Sequence, residues 1–317
     1  VDGITLTHYG GGTYSRGVYI YSSSDILIQR CRFVYNNCGI MVKNASSRNV
    51  IQDNYCIDDT VDWHFSYTKS MAVNYSNYIE TGLVVMAGTY SGRGLVIRRN
   101  DIIGTFDGSE INPYITFTGR TVETDFYDNT MTYICDDFLE LDGYSRNVRV
   151  FGNDMHVSLS GISLAQALDG PTWIIRNRII DCGMSPAGKN PADHAWEGYP
   201  FKTNGGDGVG IGSGQVFFYH NTAWTRDPAS NAMLVKSDVK WKKFTFRNNI
   251  WCGAICGFMS WTKPPSPMDW DYDCLYRQSG SFIQLGNRGD PSLNTYYDDP
   301  AEAFAGAGWL EHGLSAW

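Results

Sequence analysis

A short pattern centred on asparagine recurs along the chain and limits the possible folds more than any other feature. A run of aromatic or β-branched residues leads to one or two polar residues, an asparagine, and another apolar residue two places later, as in LVIRRNDII. The asparagines of successive copies are Asn54, Asn100, Asn129, Asn153, Asn177, Asn221 and either Asn248 or Asn249, with Cys31 at this place in the first copy. Most copies are about two dozen residues apart, the length of one turn of a parallel β-helix. The 46 residues from Asn54 to Asn100 are interpreted as two turns.

Equivalent positions on neighbouring turns of such a fold stack about 4.8 Å apart, so a column of asparagine side chains can form hydrogen bonds along the helix axis. The residues two places after the asparagine are apolar and should face the core: Ile102, Met131, Met155, Ile179, Ala223 and Ile250. The residues two places before it are mostly apolar and should face inward too: Arg98, Tyr127, Phe151, Ile175, Tyr219 and Phe246.

Strand alternation then points the residue just before the asparagine outward. This outward column contains Arg99, Asp128, Gly152, Arg176, His220 and Arg247. It is either a binding stripe, with Arg99, Arg176 and His220 as substrate contacts, or an ordinary solvated face.

The predicted fold is therefore all-β. It consists of a single right-handed parallel β-helix over residues 1–290, with a large loop insertion at about 183–214, and an irregular or helical cap over residues 291–317 of the same domain. Within the cap, only PAEAFAGAG has the composition of a short helix, which would begin at Asp299 and Pro300. The cap is expected to protect the last edge strand.

Acidic residues crowd two neighbouring turns. Asp107 and Asp136 both lie seven places after their asparagine, so the repeat places their carboxylates on the order of 5 Å apart. Like charges this close do not all ionise cheaply, so one carboxyl group should keep its proton beside a charged partner. Glycoside hydrolysis needs that division, because one carboxyl group protonates the leaving oxygen while another attacks or activates water. The predicted catalytic residues are Asp107, Asp136, Asp137 and Glu140.

Two other interpretations of these acidic residues stay open. Carboxylates on a β-helix face also suit Ca²⁺, here at Asp136, Asp137 and Glu140, and the ion would support a lyase or epimerase that acts on uronates. Alternatively, the aspartates only form turns next to glycine. The repeat does not choose between retaining and inverting hydrolysis, because a shift of one residue moves a carboxylate to the other face of a strand.

The Gly- and Pro-rich insertion is expected to form a wall beside the acidic residues. Aromatic rings stack on the apolar faces of sugars, and such loops often carry recognition. The candidate substrate contacts in this segment are His194, Trp196, Tyr199 and Lys202. Lys202 and His220 offer either a base for a lyase or a hydrogen bond to a sugar hydroxyl, and an ordinary surface role is the alternative. Trp63 and His64, in an earlier segment, are candidate subsite residues.

Charge and composition limit the partners. A net charge of -8 argues against a nucleic-acid binder, which needs clustered Lys and Arg. No run approaches the ~20 apolar residues of a membrane-spanning helix. The chain starts at Val1 without a signal peptide and is interpreted as a mature or trimmed product. The eight cysteines are too scattered for a zinc site. Pairs such as Cys252 and Cys256 are either disulfides, which would fit secretion, or buried thiols.

The segment ICDDFLELDGYSRNVRVFGNDM, followed by SGISLAQALDGPTWIIRNRII, YPFK and FFYHNT, resembles a family of secreted bacterial right-handed parallel β-helix repeat proteins in the carbohydrate-active pectate-lyase-like and polygalacturonase-like superfamily. The resemblance covers most of the chain from about Leu95 onward. It implies the fold, and by association a role in polysaccharide breakdown, but it names no substrate. The Asp-Asp step is also similar to that of polygalacturonase-like hydrolases, whose Gly-His-Gly and Arg-Ile-Lys motifs this chain lacks.

We therefore expect a secreted enzyme, extracellular or periplasmic, that acts on a neutral or mildly charged polysaccharide or oligosaccharide. The favoured activity is glycoside hydrolysis by the acidic pair, with no cofactor unless Ca²⁺ binds. The first alternative is a Ca²⁺-assisted uronate lyase or epimerase, which would need Arg and Lys close to its base. The second is a non-catalytic carbohydrate-binding or spike-type β-helix, which would show unbroken turns.

Overall fold

The computed structural model describes residues 1–9, 15–36, 38–58, 82–87, 92–111, 121–141, 145–164, 170–183, 198–203, 214–226, 230–235, 243–254, 256–260, 268–287 and 290–316. The first strands are β1 (Thr5–Thr7), β2 (Arg16–Tyr21), β3 (Leu27–Gln29), β4 (Arg32–Val34), β5 (Cys38–Lys43), β6 (Val50–Gln52), β7 (Tyr55–Ile57), β8 (Val84–Ala87), β9 (Val96–Arg98), β10 (Asp101–Ile103) and β11 (Ser109–Glu110). The central strands are β12 (Thr121–Val122), β13 (Asp125–Tyr127), β14 (Thr130–Thr132), β15 (Asp137–Glu140), β16 (Ser145–Arg146), β17 (Val148–Phe151), β18 (Asp154–Ser158), β19 (Ser160–Ser163), β20 (Thr172–Ile175), β21 (Arg178–Cys182) and β22 (Phe201–Thr203). The last elements are β23 (Gln215–Tyr219), β24 (Thr222–Trp224), β25 (Met233–Val235), β26 (Lys243–Arg247), β27 (Ile250–Gly253), β28 (Phe258–Ser260), β29 (Met268–Asp271), β30 (Cys274–Arg277), β31 (Ile283–Asn287), β32 (Asp290–Tyr297), helix α1 (Pro300–Ala307) and β33 (Leu314–Ala316).

Three long sheets are built from these strands. Sheet 1 has the order β1-β4-β7-β10-β14-β18-β21-β24-β27-β30-β33, sheet 2 the order β2-β5-β8-β11-β15-β19-β22-β25-β28-β31-β32, and sheet 3 the order β3-β6-β9-β13-β17-β20-β23-β26-β29. Among the described strands, every pairing in these sheets is parallel except that of β31 with β32. One turn contributes one strand to each sheet, as β3, β4 and β5 do. The predicted parallel β-helix is therefore confirmed, and crossovers of this kind are right-handed.

The repeated asparagines form a buried ladder in the turn between sheet 3 and sheet 1. From Asn54 to Asn249, each ladder asparagine is at most 2% exposed. The Oδ1 atom of Asn129 accepts hydrogen bonds from the backbone N–H and from Nδ2 of Asn100, one turn earlier, both at 3.0 Å. Nδ2 of Asn129 also donates to the carbonyl oxygen of Ile97 at 3.2 Å. The ladder satisfies the polar groups of every turn that it crosses, which explains why the sequence repeats this residue.

Two long intervals in the repeat are single turns. Asn54 Nδ2 donates directly to Asn100 Oδ1 at 3.0 Å, and β6 pairs with β9, so the prediction of two turns between these asparagines is wrong. The extra residues lie between β7 and β8. Asn177 and Asn221 are direct ladder neighbours too, at 3.1 Å. Their interval contains β22 within the predicted insertion at 183–214, so that segment consists of two long connections on either side of a sheet strand.

The residue before each ladder asparagine is a turn residue with positive φ, such as Arg99 (51°), Arg176 (54°) and His220 (59°). This residue interrupts strand alternation. Consequently, the predicted inward orientation is wrong for Tyr127 and the residues equivalent to it, which lie on the outer face of sheet 3, while Phe126 and its equivalents face the core.

The last copy of the repeat uses Asn249, because Asn249 Oδ1 accepts from Asn221 Nδ2 at 3.0 Å. Trp251, which is 1% exposed, therefore takes the core position that was assigned to Ile250, and Ile250 is 46% exposed. Phe246, assigned to the position two places before the asparagine, lies three places before Asn249 and in the core.

The C-terminal segment caps the helix and also extends it. Helix α1 begins after Asp299, whose side chain accepts a hydrogen bond from Glu302 N at 2.8 Å, as the sequence predicts. Strand β32 covers the edge of sheet 2 in antiparallel orientation, whereas β33 adds a parallel strand to sheet 1. All eight cysteines are free thiols, and seven are buried. Within the described ranges, no helix has the length and apolar character required to cross a membrane.

The asparagine ladder ends at a buried carboxylate, Asp273. Its Oδ1 accepts from Asn249 N (2.7 Å), and its Oδ2 accepts from the indole N–H groups of Trp251 (2.5 Å) and Trp270 (2.7 Å). Burial raises the pKa of Asp273 from 3.8 to about 6, although these hydrogen bonds oppose the shift. The side chain at this position accepts hydrogen bonds on both oxygens, whereas an asparagine would replace one acceptor with an NH₂ donor. This explains why the ladder ends on aspartate.

Asp273 should make the stability of the protein depend on pH. Because its pKa is higher in the folded state, its contribution is fully present below about pH 4 and is lost as the pH rises through about 6, on the order of 3 kcal/mol. Urea unfolding at pH 4 and pH 7 measures this loss. The variant Asp273→Asn has no titratable group at this position and should lack this part of the pH dependence. An equal pH dependence of stability in the two proteins would show that Asp273 is not its cause.

Candidate active site

Three aspartates meet at the N-terminal ends of two neighbouring strands of sheet 2. Asp107 lies two residues before β11, Asp136 immediately precedes β15, and Asp137 is the first residue of β15. One carboxylate oxygen of each lies within 4.8 Å of the other two. Asp107 and Asp137 are buried, and Asp136 is partly exposed. The structure thus brings together three of the four residues that the sequence predicts as catalytic.

The register differs from the predicted one by one residue. Asp137 N donates to Asp107 Oδ1 at 3.0 Å, and Asp136 N donates to the carbonyl oxygen of Phe106 at 2.8 Å. Asp107 therefore lies opposite Asp137 and not opposite Asp136, as the asparagine spacing predicted. The reason is that Thr132 and Leu139 are seven positions apart, whereas their strand partners Ile103 and Ser109 are six positions apart.

Glycines let the backbone of this site pack closely. A Cβ atom on Gly82 would lie 2.3 Å from the carbonyl oxygen of Asp107, and one on Gly108 would lie 2.2 Å from the carbonyl oxygen of Phe138. Both distances are far below van der Waals contact. The glycine that follows Asp107 is therefore required by the approach of β11 to β15, and it does not only mark a turn.

Asp107 is a buried and strongly perturbed carboxyl group. It is 1% exposed, and within the described part of the chain its Oδ2 has no hydrogen-bond partner. Burial and the nearby carboxylates of Asp136, Glu110 and Asp137 raise the pKa of Asp107 well above its ordinary value, and the hydrogen bond from Asp137 N opposes this effect. Asp107 is therefore protonated at pH values at which an exposed aspartate is ionised.

Lys202 reaches the cluster from β22. Its Nζ donates to Asp137 Oδ2 at 2.6 Å, and the two side chains are 14% and 1% exposed. The residue before it, Phe201, belongs to the core, so strand alternation places Lys202 on the outer face of sheet 2. Sequence reasoning selected Lys202 as a substrate contact, but it had no signal for this partner, because the two residues are 65 positions apart.

Glu140, the last residue of β15, and Tyr199, two residues before β22, lie outside the three-aspartate group. Glu140 pairs in register with Glu110 on β11, three residues beyond Asp137. Tyr199 is only 5% exposed, and its carbonyl oxygen accepts from Gly161 N at 2.8 Å. The catalytic role predicted for Glu140 and the sugar contact predicted for Tyr199 stay predictions.

The remaining candidates are not gathered at this site. Arg99, Arg176 and His220 lie in the turn between sheets 3 and 1, where Arg99 forms an ion pair with Asp53 at 2.7 Å. Four further candidates lie outside the described residues: His194, Trp196, Trp63 and His64.

The cluster also meets a distance condition for binding a cation. Oxygens that ligate one Ca²⁺ at ~2.3–2.6 Å lie within ~5 Å of one another, as one oxygen from each aspartate does. The donor set would be Asp107, Asp136 and Asp137, without the Glu140 that the sequence proposed. A second group that sequence reasoning missed, Asp271, Glu311 and His312, has similar spacing near the C-terminus and is more exposed.

Replacing Asp107 by asparagine should stabilise the protein at alkaline pH. The amide keeps an acceptor for Asp137 N and removes a charge that burial and three carboxylates disfavour. Because the raised pKa of Asp107 lowers stability as the pH rises, the gain should appear at pH 8, as a few degrees in melting temperature, and disappear near pH 4. Circular dichroism melting curves at both pH values measure it.

Asp53→Asn is the matched control. Arg99 holds the pKa of Asp53 below its ordinary value, so the native state favours its ionised form and its contribution is present at pH 8. This variant should therefore melt at a slightly lower temperature than the wild type at pH 8. A lower melting temperature for Asp107→Asn at pH 8 would show that Asp107 is not a crowded, disfavoured carboxylate.

The fold and the site define a parallel β-helix protein with a largely buried acidic cluster at the N-terminal ends of two strands of one sheet. Residues 11–94 match a family described as "Periplasmic copper-binding protein (NosD)". The match covers about a quarter of the chain and ends before Asp107. It supports a β-helix repeat protein and agrees with the predicted location outside the cytoplasm, whereas the resemblance to pectate-lyase-like and polygalacturonase-like enzymes stays a prediction. No curated protein and no solved structure matched the chain.

Proposed function

We propose that this protein is a glycoside hydrolase whose acidic cluster cleaves a polysaccharide. The observation that carries the proposal is the environment of Asp107. Its buried carboxyl group, with a raised pKa, lies within 4.8 Å of the carboxylates of Asp136 and Asp137. A protonated carboxyl group beside an ionised one is the combination that acid-catalysed glycoside cleavage requires.

Asp136 is the member of the cluster with exposed surface, so we assign to it the contact with the glycosidic oxygen. The proton that Asp107 and Asp136 share passes through Asp136 to the leaving oxygen as the bond to the anomeric carbon breaks, and a neighbouring carboxylate of the cluster attacks that carbon to form a glycosyl ester. Water then hydrolyses the ester, which frees the carboxylate and returns a proton to the cluster. Asp107 supports this cycle because its raised pKa favours a proton next to Asp136.

The spacing favours retention of the anomeric configuration. Carboxylate oxygens within 4.8 Å of one another are closer to the ~5–5.5 Å separation of retaining enzymes than to the ~6.5–9.5 Å separation of inverting enzymes, which must hold a water molecule between the two groups. Proton NMR of the newly formed reducing end, recorded early in the reaction, distinguishes the two outcomes.

Product analysis on a panel of plant and algal polysaccharides tests the proposal. The protein is incubated with each polymer, with and without chelator, and the fragments are analysed by mass spectrometry and ultraviolet absorbance. We expect saturated fragments, one water heavier than an elimination product, whose formation is insensitive to chelator and is lost in Asp136→Asn. Unsaturated, chelator-sensitive fragments would instead establish the uronate lyase, and the absence of products from every polymer would favour a non-catalytic β-helix.

The lyase is the second candidate because of the same oxygen cluster. Three carboxylates at this spacing offer the hard oxygen ligands that Ca²⁺ prefers, and a bound Ca²⁺ could neutralise a uronate carboxylate. Copper, which appears in the description of the matched family, prefers nitrogen and sulfur ligands. The match ends before these residues, so it gives no reason to assign copper to them.

A further inference from the structure

One imidazole and two carboxylates meet near the C-terminal end of the β-helix. Asp271 is the last residue of β29 in sheet 3, and Glu311 and His312 lie between α1 and β33. One ligand atom of each residue lies within 4.8 Å of the other two. The fold thus brings a nitrogen donor and two oxygen donors together, although Asp271 and His312 are 41 positions apart.

Asp271 faces an arginine but does not pair with it. Arg247 on β26 is the strand partner of Asp271, yet its guanidinium donates to the carboxylate and to the carbonyl oxygen of Asp269. Elsewhere in the described chain, arginine is the usual counter-ion of an aspartate on a neighbouring turn. Within the described ranges, no lysine or arginine forms an ion pair with Asp271 or Glu311. The partner of Asp271 is His312, which carries a charge only when it is protonated, so the two carboxylates lack a permanent counter-charge.

The backbone and a tyrosine ring hold two of the three side chains in place. Oδ1 of Asp271 accepts hydrogen bonds from the backbone N–H groups of Tyr272 at 2.9 Å and of His312 at 2.7 Å. This leaves Oδ2 facing Nδ1 of His312 at 2.9 Å. The ring of Tyr272 stacks on the imidazole, with a centroid distance of 4.7 Å and an interplanar angle of 4°. Both donors are therefore oriented before a ligand binds, which lowers the entropic cost of binding it.

The donor atoms and their spacing fit a divalent transition-metal ion. Zn²⁺ binds imidazole nitrogen and carboxylate oxygen at about 2.0–2.2 Å, so two of its ligands lie at most about 4.4 Å apart. The side chains of His312 and Asp271 are 52% and 18% exposed, and Glu311 is exposed too, so small rotations bring the three ligand atoms to this spacing. An ion that replaces the proton between Nδ1 and Oδ2 contacts both atoms. Because Ca²⁺ prefers oxygen ligands alone, the imidazole favours a transition metal.

We propose that Asp271, Glu311 and His312 form a binding site for a divalent transition-metal ion such as Zn²⁺. The site joins the end of sheet 3 to the segment that closes the β-helix, in which Leu310 N donates to the carbonyl oxygen of Trp270 at 2.8 Å. A bound ion fixes this segment against β29 and stabilises the closed end. Metal binding here is independent of the proposed hydrolase activity, because sheet 2 contributes no ligand.

Titration with Zn²⁺ tests the site. The protein is freed of metal with a chelator, dialysed and titrated with Zn²⁺ by calorimetry, and ¹⁵N-labelled histidine rings are followed by NMR. In the wild type we expect Zn²⁺ to shift the His312 ring resonances and to raise the melting temperature by a few degrees. Because even the partners of metal ligands contribute about 10–100-fold to affinity, loss of a ligand in His312→Ala should weaken binding by at least about tenfold. The rise in melting temperature should then disappear.

His156→Ala is the matched control. His156 pairs with Asp154 at 3.0 Å on sheet 1, but within the described ranges this pair belongs to no three-ligand group, so the variant should bind Zn²⁺ as the wild type does. No binding by the wild type, or equal binding by the wild type and His312→Ala, would overturn the proposal. Binding that is lost in Asp136→Asn and kept in His312→Ala would also overturn it, because the ion would then lie at the acidic cluster. Should His312→Ala fail to fold, Glu311→Gln provides the same comparison by changing an exposed side chain.

Discussion

Asp136→Asn is expected to lower kcat/KM for polysaccharide cleavage by about 10²–10⁴-fold, the usual contribution of a positioned general acid. Asp136 is the partly exposed carboxyl group of the cluster, so it is the group that a glycosidic oxygen can reach. An asparagine has nearly the same size but no acidic proton. The backbone hydrogen bonds of residue 136, from its N–H to Phe106 O and from Ser160 N to its carbonyl oxygen, both 2.8 Å, do not involve the side chain. The fold should therefore survive the change.

The reactivity of the leaving group tests the role of Asp136 as the acid. A dinitrophenyl glycoside of the same sugar leaves without protonation, so Asp136→Asn should lose much less activity on it than on the polysaccharide. Asp125→Asn is the matched control, because Asp125 lies on sheet 3 and pairs with Arg149 across neighbouring turns. Equal losses on both substrates would show that Asp136 does not protonate the leaving oxygen.

Activity should also decline on the alkaline side. The raised pKa of Asp107 keeps a proton in the cluster at pH values at which an exposed aspartate is ionised, and titration of that proton removes the acid. The pH profile of kcat/KM, which reports the free enzyme, should therefore have an alkaline limb. In Asp107→Asn this limb should move, whereas Asp125→Asn should keep the wild-type profile.

Asn249→Ala is expected to destabilise the protein by at least about 4 kcal/mol or to prevent folding. Asn249 Oδ1 accepts from Asn221 N (2.9 Å) and Asn221 Nδ2 (3.0 Å), and Asn249 Nδ2 donates to the carbonyl oxygen of Phe218 (2.9 Å). The same Nδ2 donates to Asp273 Oδ1 at 3.1 Å. Alanine leaves these buried groups without partners, at about 1–3 kcal/mol each. Urea unfolding followed by circular dichroism measures the loss.

The adjacent asparagine provides the control. Asn248 is exposed and has a φ of 58°, which glycine adopts without strain. Asn248→Gly should therefore change stability by no more than about 0.5 kcal/mol. Similar losses for Asn249→Ala and Asn248→Gly would mean that the turn conformation, and not the ladder, stabilises this part of the molecule.

Much of the fold can be predicted from the sequence because the asparagine ladder needs one identical residue per turn. A buried amide that bonds to the turns before and after it admits few replacements, so Asn129, Asn153 and Asn177 appear at nearly constant spacing. The number of turns was harder to predict. Residues between β7 and β8 lengthen one turn without altering the pairing of β6 with β9, so the 46-residue interval resembled two turns.

The candidate site, too, could be predicted from the sequence only in part. The sequence predicts that acidic side chains from two turns meet, because they follow Asn100 and Asn129 at the same spacing along the chain. Only the structure shows that Asp107 faces Asp137. Thr132 and Leu139 are one residue further apart than their partners Ile103 and Ser109, and this additional residue shifts sheet 2 relative to the ladder. Loop length sets this register, and no residue in the repeat encodes it.

By itself, the sequence determined the parallel β-helix, its buried asparagine column and the crowding of carboxyl groups on two neighbouring turns, since each depends on a pattern that repeats once per turn. Only the tertiary structure decided which carboxyl group is buried, which is partly exposed, and which is paired with Lys202. Those properties depend on the register of sheet 2 and on a lysine that reaches across two turns from a residue 65 positions away. Contacts of that kind arise when distant turns stack, and local sequence patterns do not record them.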